Sequence, residues 1–318
     1  MRPLSLVLAL AAAAAPVAAG AAESSCRQER GVLIAPAQVM GVAGDFIVDT
    51  GQAQTQLAET QAQEAGFVET ALSGEVTLAG IRRGRMAVAV ADLDARTVFF
   101  STPIAGVIGL DMLRDQVVDV RFGPCRLAIH APAAAPAFLA DREFELGWEG
   151  ALPVVHAVVG DGATSWPGAF TPSTGLDLSL RLDDRFAGAP AATKPQELYP
   201  GGVWRALLES LSFAGDLYRN VDAGLVKGAP DSIQPAGLIG GPVLSRYRLR
   251  FDFPANRLLV GRPDSPSAMR AKGLRVSAPR CARASDSSPR AGRRTRADRS
   301  WRPGRTACAL PPSARRPR

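Results

Sequence analysis

Residues 105–129 can be laid over residues 236–260, 131 positions later, without a gap. Identical residues fall at Ala105/Ala236, Gly106/Gly237, Ile108/Ile239, Gly109/Gly240, Leu113/Leu244, Phe122/Phe253, Arg126/Arg257 and Leu127/Leu258. Similar apolar pairs fall at Val107/Leu238, Val118/Leu249 and Ile129/Val260. A repeat of this length is a duplicated domain and not a solenoid unit. The 318 residues suffice for two cores of ordinary size. The short apolar runs alternate or end on Gly, which predicts strands and an all-β chain.

A second pair of matching stretches lies upstream of those two. Phe46-Ile47-Val48-Asp49-Thr50-Gly51 is echoed 124 residues later by Phe170-Thr171-Pro172-Ser173-Thr174-Gly175. A buried strand ending on a carboxylate needs donors for it, and the Thr hydroxyl and the amides of a tight Gly turn supply them. Asp49, Thr50 and Gly51 are therefore candidate site residues, with Ser173, Thr174 and Gly175 as their counterparts. The second copy has Ser where the first has Asp, and that difference dominates any reading of function.

Between the motifs the pattern predicts strands over residues 31–38 and 41–48 and a short helix or turn over 56–66. A hairpin is expected over 74–90, and two strands over 117–129 around Gly123-Pro124. In the second half, Trp204, Leu207, Leu208 and Leu211 recur at helical spacing, so residues 198–213 read as an inserted amphipathic helix. Residues 131–150 begin Ala/Pro-rich and read as a linker. The first residues, one Arg and then a Leu/Ala run, read as a secretory signal peptide over 1–22. That places the chain outside the cytoplasm, periplasmic or secreted, where disulfides persist. Of three possible pairings of four cysteines, Cys26–Cys125 is favoured as a structural bridge, and Cys281 and Cys308 fall in a basic tail. From residue 270 onward there are 15 Lys and Arg against 2 acids, so the net +7 conceals 22 basic against 28 acidic residues before it. The domain plan is a lobe over 26–135, a second over 145–265 and a disordered basic tail over 270–318. No GxGxxG, P-loop, GxSxG or zinc-ligand spacing occurs, so no nucleotide, cofactor or metal is expected.

An apolar-apolar-Asp-Thr-Gly strand, an apolar-apolar-Gly strand 58 residues on, an Asp-x-Leu turn and a closing strand pair resemble the aspartic peptidases. The likeness, over residues 31–262, is to exported bacterial aspartyl proteases of retropepsin type, here fused as two lobes in the pepsin manner. It implies a bilobal acid-protease fold of two β-barrel-like lobes with a cleft between them. It also implies that Asp49 and Ser173 face each other there, supported by Val107-Ile108-Gly109 and Leu238-Ile239-Gly240. Family members close a hairpin flap over the substrate. Residues 70–85 hold no aromatic, so flap contacts would fall to the backbone, Leu72 and Ser73.

In such a site two carboxylates about 3 Å apart share one proton. One activates a water and the other polarises the scissile carbonyl. Ser173 cannot take the second carboxylate's part. Asp177, four residues on, reads as a surface charge. The expectation is thus an aspartic endopeptidase-like protein in which Asp49 serves as general base and acid. The alternative is a pseudoprotease that binds extended peptides by strand addition without cutting them. The implied partner is a peptide or protein, with no nucleic acid and no membrane span after signal removal. The chain is expected to be a monomer, pairing with a second chain being the other arrangement.

Overall fold

The computed structural model describes residues 22–183, 196–199, 203–226 and 236–263. The expected signal peptide, the basic tail, Cys281 and Cys308 lie outside them.

The first half begins with β1 (Ala22–Ser25) and β2 (Arg27–Glu29), followed by β3 (Val32–Val39), β4 (Val42–Val48), β5 (Gln56–Ala58) and α1 (Glu59–Glu64). Then come β6 (Ala71–Leu78), β7 (Ile81–Ala91), α2 (Asp94–Thr97), β8 (Ile104–Ile108), α3 (Leu110–Leu113), β9 (Val117–Phe122) and β10 (Cys125–His130). The second half runs β11 (Arg142–Glu145), β12 (Gly147–Glu149), β13 (Leu152–Asp161), β14 (Thr164–Pro172), β15 (Leu180–Asp183) and β16 (Gln196–Tyr199). It closes with β17 (Val203–Phe213), β18 (Asp216–Val226), β19 (Gly237–Ile239), α4 (Gly241–Leu244), β20 (Arg248–Asp252) and β21 (Arg257–Gly261).

Pairing β3-β4-β8-β5-β7-β6 and back to β3 closes one six-stranded barrel, and β13-β14-β19-β15-β18-β17 closes the other. The directions match step for step, including the parallel pairs β4–β8 and β14–β19. Closure leaves these strands no open edge, which is how a small all-β lobe avoids pairing with other chains. The chain has the all-β, bilobal architecture that the duplication predicts.

A third sheet, β1-β10-β9-β20-β21-β11, joins the lobes. Its inner face carries Val118, Val120, Leu127, Ile129, Leu249 and Phe251, all buried in the core shared by both lobes. At its centre Asp119 on β9 lies opposite Arg250 on β20. These residues are 131 apart, so they are the same position of the repeat, and a pseudo-twofold axis passes between them. Two separate identical chains would place like against like here. Fusion lets one copy be Asp and the other Arg, paired through Nε and Nη2 at 2.6 and 2.7 Å. The Cys26–Cys125 disulfide forms as expected and ties the start of the described chain to β10.

Two expectations are corrected. The described residues within 198–213 are not an inserted helix but the end of β16 and all of β17, with β17 hydrogen-bonded to β18 through Phe213. Buried Ala206 and Leu208 alternate with exposed Arg205, Leu207 and Glu209, so a strand period was mistaken for a helical one. The connection over 131–150 is not a free linker: Pro136 O and Leu139 O accept hydrogen bonds from Arg250 and Arg248, β11 pairs with β21, and β12 pairs with β13.

Candidate active-site cleft

Asp49 and Ser173 follow directly on β4 and β14, at the ends of the two parallel pairs. Asp49 N donates to Ile108 O at 3.0 Å, and Ser173 N donates to Ile239 O at 2.8 Å. The two apolar-apolar-Gly strands thus anchor the two turns as the resemblance implied. A side chain on Gly240 would collide with Leu178 O, and one on Gly109 would sit 2.6 Å from the Gln54 carbonyl carbon. Both glycines let a chain crossing pass underneath the turns.

The turns then lock across the lobe boundary. Thr50 Oγ1 donates to Pro172 O and Thr174 Oγ1 to Val48 O, each at 2.6 Å. Each hydroxyl also accepts the other turn's Thr amide, at 3.2 and 3.3 Å. All four groups are buried, so the lock satisfies polar atoms that would otherwise be costly to desolvate. Gly51 and Gly175 lie against the opposite turn. A Cβ on Gly51 would come 2.5 Å from Ser173 Cβ, and one on Gly175 2.5 Å from Asp49 Cγ.

The resulting geometry brings Asp49 and Ser173 into direct contact. Ser173 Oγ donates to Asp49 Oδ1 at 2.7 Å, and Gly51 N donates to the same oxygen at 2.8 Å. The other oxygen, Oδ2, accepts Arg96 Nη2 at 2.6 Å. Arg96 also donates to Gly175 O at 3.0 Å, so it bridges both turns. Of about four acceptor positions on the carboxylate, these donors use three.

Arg96 is the cleft residue that the sequence did not single out. It lies on α2, in the segment between β7 and β8. Buried Leu93 and the half-buried Phe100 pin that segment to a small core with Val32, Ile47 and Val107. Asp92 Oδ1 accepts Asp94 N at 2.9 Å and shapes the entry to the turn. No local motif marks Arg96, because its partner is 47 residues away in sequence.

A cavity of about 320 Å³ opens over this centre, lined by Asp49, Arg96, Phe100, Ser173, Asp177 and Arg181 among others. Asp177 is not a plain surface charge: it belongs to the cleft wall and pairs with Arg30 at 3.4 Å. Although part of Arg181 reaches solvent, its charged end is crowded by protein. That desolvation lowers its guanidinium pKa, the Asp49 charge raises it, and Arg96 adds a smaller lowering. The β6–β7 hairpin, with Leu72 and Ser73, contributes none of the residues that line this cavity. The hairpin instead pairs with β3 as barrel wall, and α2 stands at the cleft in its place.

Among solved structures, the aspartic proteinase from Irpex lacteus aligns with 14% identity over 78% of this chain and 98% of that chain, at a TM-score of 0.47. No family model matches the sequence, and no curated protein does.

Proposed function

We propose that the protein is an aspartic-protease-like peptide binder whose cleft holds extended peptides without hydrolysing them. The observation that carries this reading is the Arg96–Asp49 contact at 2.6 Å. Water-mediated hydrolysis needs one carboxylate free to activate a water and a second carboxyl to protonate the carbonyl oxygen. Here Ser173 replaces the second acid, and the guanidinium occupies the oxygen of Asp49 that the first would use. The cleft remains open between two barrels, with apolar Phe100 and Leu238 beside charged Arg181 and Asp177. That mixture suits a peptide's side chains and its backbone carbonyls.

The intact lock around Thr50 and Thr174 favours a second reading, an endopeptidase of reduced rate in which substrate displaces Arg96 and Asp49 works with Ser173. A random peptide library at mildly acid pH, read by mass spectrometry, separates the two. The binding reading expects library peptides retained intact and competed off by a pepstatin-like inhibitor. New termini that vanish in Asp49→Ala would establish the hydrolytic one. Neither retention nor cleavage would overturn both. The exported location stands with this proposal, supported by the Cys26–Cys125 disulfide. Among the described residues no helix is long and apolar enough to cross a membrane.

A further inference from the structure

A second cavity lies on the opposite side of the six-stranded sheet from its buried inner face. Successive residues of a strand point to opposite faces. The inner face of β9, β10 and β20 is apolar, whereas the outer face carries Asp119, Arg121, Arg126, His130, Arg248 and Arg250. The connection leading to β11 crosses above them. Leu139 O accepts Arg248 Nη2 at 3.1 Å, and Pro136 O accepts Arg250 Nη1 at 2.5 Å. Phe138 lies 5.3 Å and 5.0 Å from the same two guanidiniums. Between strap and sheet is a space of about 370 Å³.

Three features of this space call for an anion. First, Arg121 and Arg248 are direct cross-strand partners, and like charges placed opposite each other repel. Second, four arginines line the space against two acids, Glu23 and Asp119. Asp119 is already committed to a two-pronged pair with Arg250, and Glu23 stands 3.6 Å from Arg126. Third, Arg121 Nε, His130 Nε2 and Arg248 Nε are buried without a hydrogen-bond partner. These are three of the seven such side-chain atoms among the described residues, and all three belong to residues lining this one space. Native proteins rarely leave buried nitrogen atoms unsatisfied, so three of them around one space need an explanation. His130 is nine-tenths buried or more, and its Nε2 lies 3.3 Å from Asp119 Oδ2 without hydrogen-bonding geometry.

We propose that this cavity is a binding site for a phosphate-type oxyanion, held by Arg121, Arg248 and His130 with Arg126 at its rim. Guanidinium groups match the oxygens of phosphate by paired, charge-assisted hydrogen bonds. Bound there, the anion separates the two opposed arginines and fills the vacant nitrogen positions. The site is independent of the cleft chemistry. The oxyanion has two possible sources, a soluble phosphate or the headgroup of a phosphomonoester lipid.

The test is calorimetric titration of the full chain with inorganic phosphate at constant ionic strength, with chloride as the matched control. Saturable binding is expected. Arg121→Gln and Arg248→Gln should each weaken it by about tenfold or more. Glu23→Gln, which removes a competing acid and so does not depend on loss of structure, should tighten it about twofold to fivefold. Vesicles of phosphatidylcholine with and without phosphatidic acid identify the source. Phosphatidic-acid-dependent sedimentation that phosphate competes away assigns the lipid headgroup, and phosphate binding without sedimentation assigns the soluble anion. Absence of both, or binding unchanged by Arg121→Gln and Arg248→Gln, would overturn the proposal.

Discussion

The two turns at the lobe boundary share a backbone frame and differ in chemistry. Each begins with an amide held by the apolar-Gly strand, each has a Thr reaching across to the other lobe's carbonyl, and each has a Gly pressed against its partner. The first presents a carboxylate and the second a hydroxyl. Packing explains why the frame persists, because each half of the lock satisfies buried groups of the other. The side chains at 49 and 173 line the cleft and take no part in the threonine lock. Folding alone therefore gives reason to keep the frame, whatever the side chains at 49 and 173 do.

The largest expected effect comes from making the turns chemically alike again. Ser173→Asp combined with Arg96→Ala restores a second acid and frees Asp49. Acid-pH cleavage of a peptide library should then rise on the order of 10² to 10⁴ over wild type, the usual worth of a positioned acid or base. Ser173→Asp alone should gain much less, since Arg96 still occupies Asp49. Next in size is the seam. Asp119→Ala strands Arg250, which is almost wholly buried, and should cost on the order of 3 kcal/mol in urea unfolding. The exchange Asp119→Arg with Arg250→Asp should recover much of that if the pseudo-twofold axis runs between them.

The frame itself is tested by Thr50→Val and Thr174→Val. Each deletes one hydroxyl that both donates and accepts, at a cost of roughly 2–4 kcal/mol. The symmetry requires the two costs to agree within about 1 kcal/mol, the usual spread of such bonds, so a much larger gap would break the comparison.

The smallest effect separates the lobes by pH. All three tyrosines lie in the second half. Burial, followed by mutual hydrogen bonding with Tyr218 and Asp216, raises the Tyr247 pKa well above its ordinary value, and burial raises that of Tyr218. A raised folded-state pKa favours the protonated, folded form. Its contribution is complete below about pH 10 and declines as pH climbs from there toward the folded value. Stability should therefore fall by about 1.4 kcal/mol per pH unit for each such tyrosine above that point. Tyr247→Phe should flatten the slope, as read from urea unfolding on both sides of about pH 10.

How much of this was legible beforehand follows from range. The strands and the repeat are written in local runs and in a gapless offset, whereas the Asp49–Ser173 encounter was legible only through the family resemblance. The Cys26–Cys125 bridge was legible because its competitors fell in an unpatterned tail. Residues 198–213 were misread because closely spaced leucines fit a helix as well as two faces of a long strand. Arg96 was invisible for a different reason. An arginine in a short connecting segment carries no signature until folding sets it against a carboxylate from another strand. The hairpin's place in the barrel wall escaped for the same cause, since only the β3–β6 pairing reveals it.

On the proposed reading, Arg96 and Ser173 together leave Asp49 unable to run hydrolysis. The most direct measurement compares wild type with Asp49→Ala on one peptide library at acid pH, counting new termini. Equal, background-level cleavage by the two is the predicted result. Cleavage by wild type that disappears in Asp49→Ala would contradict it.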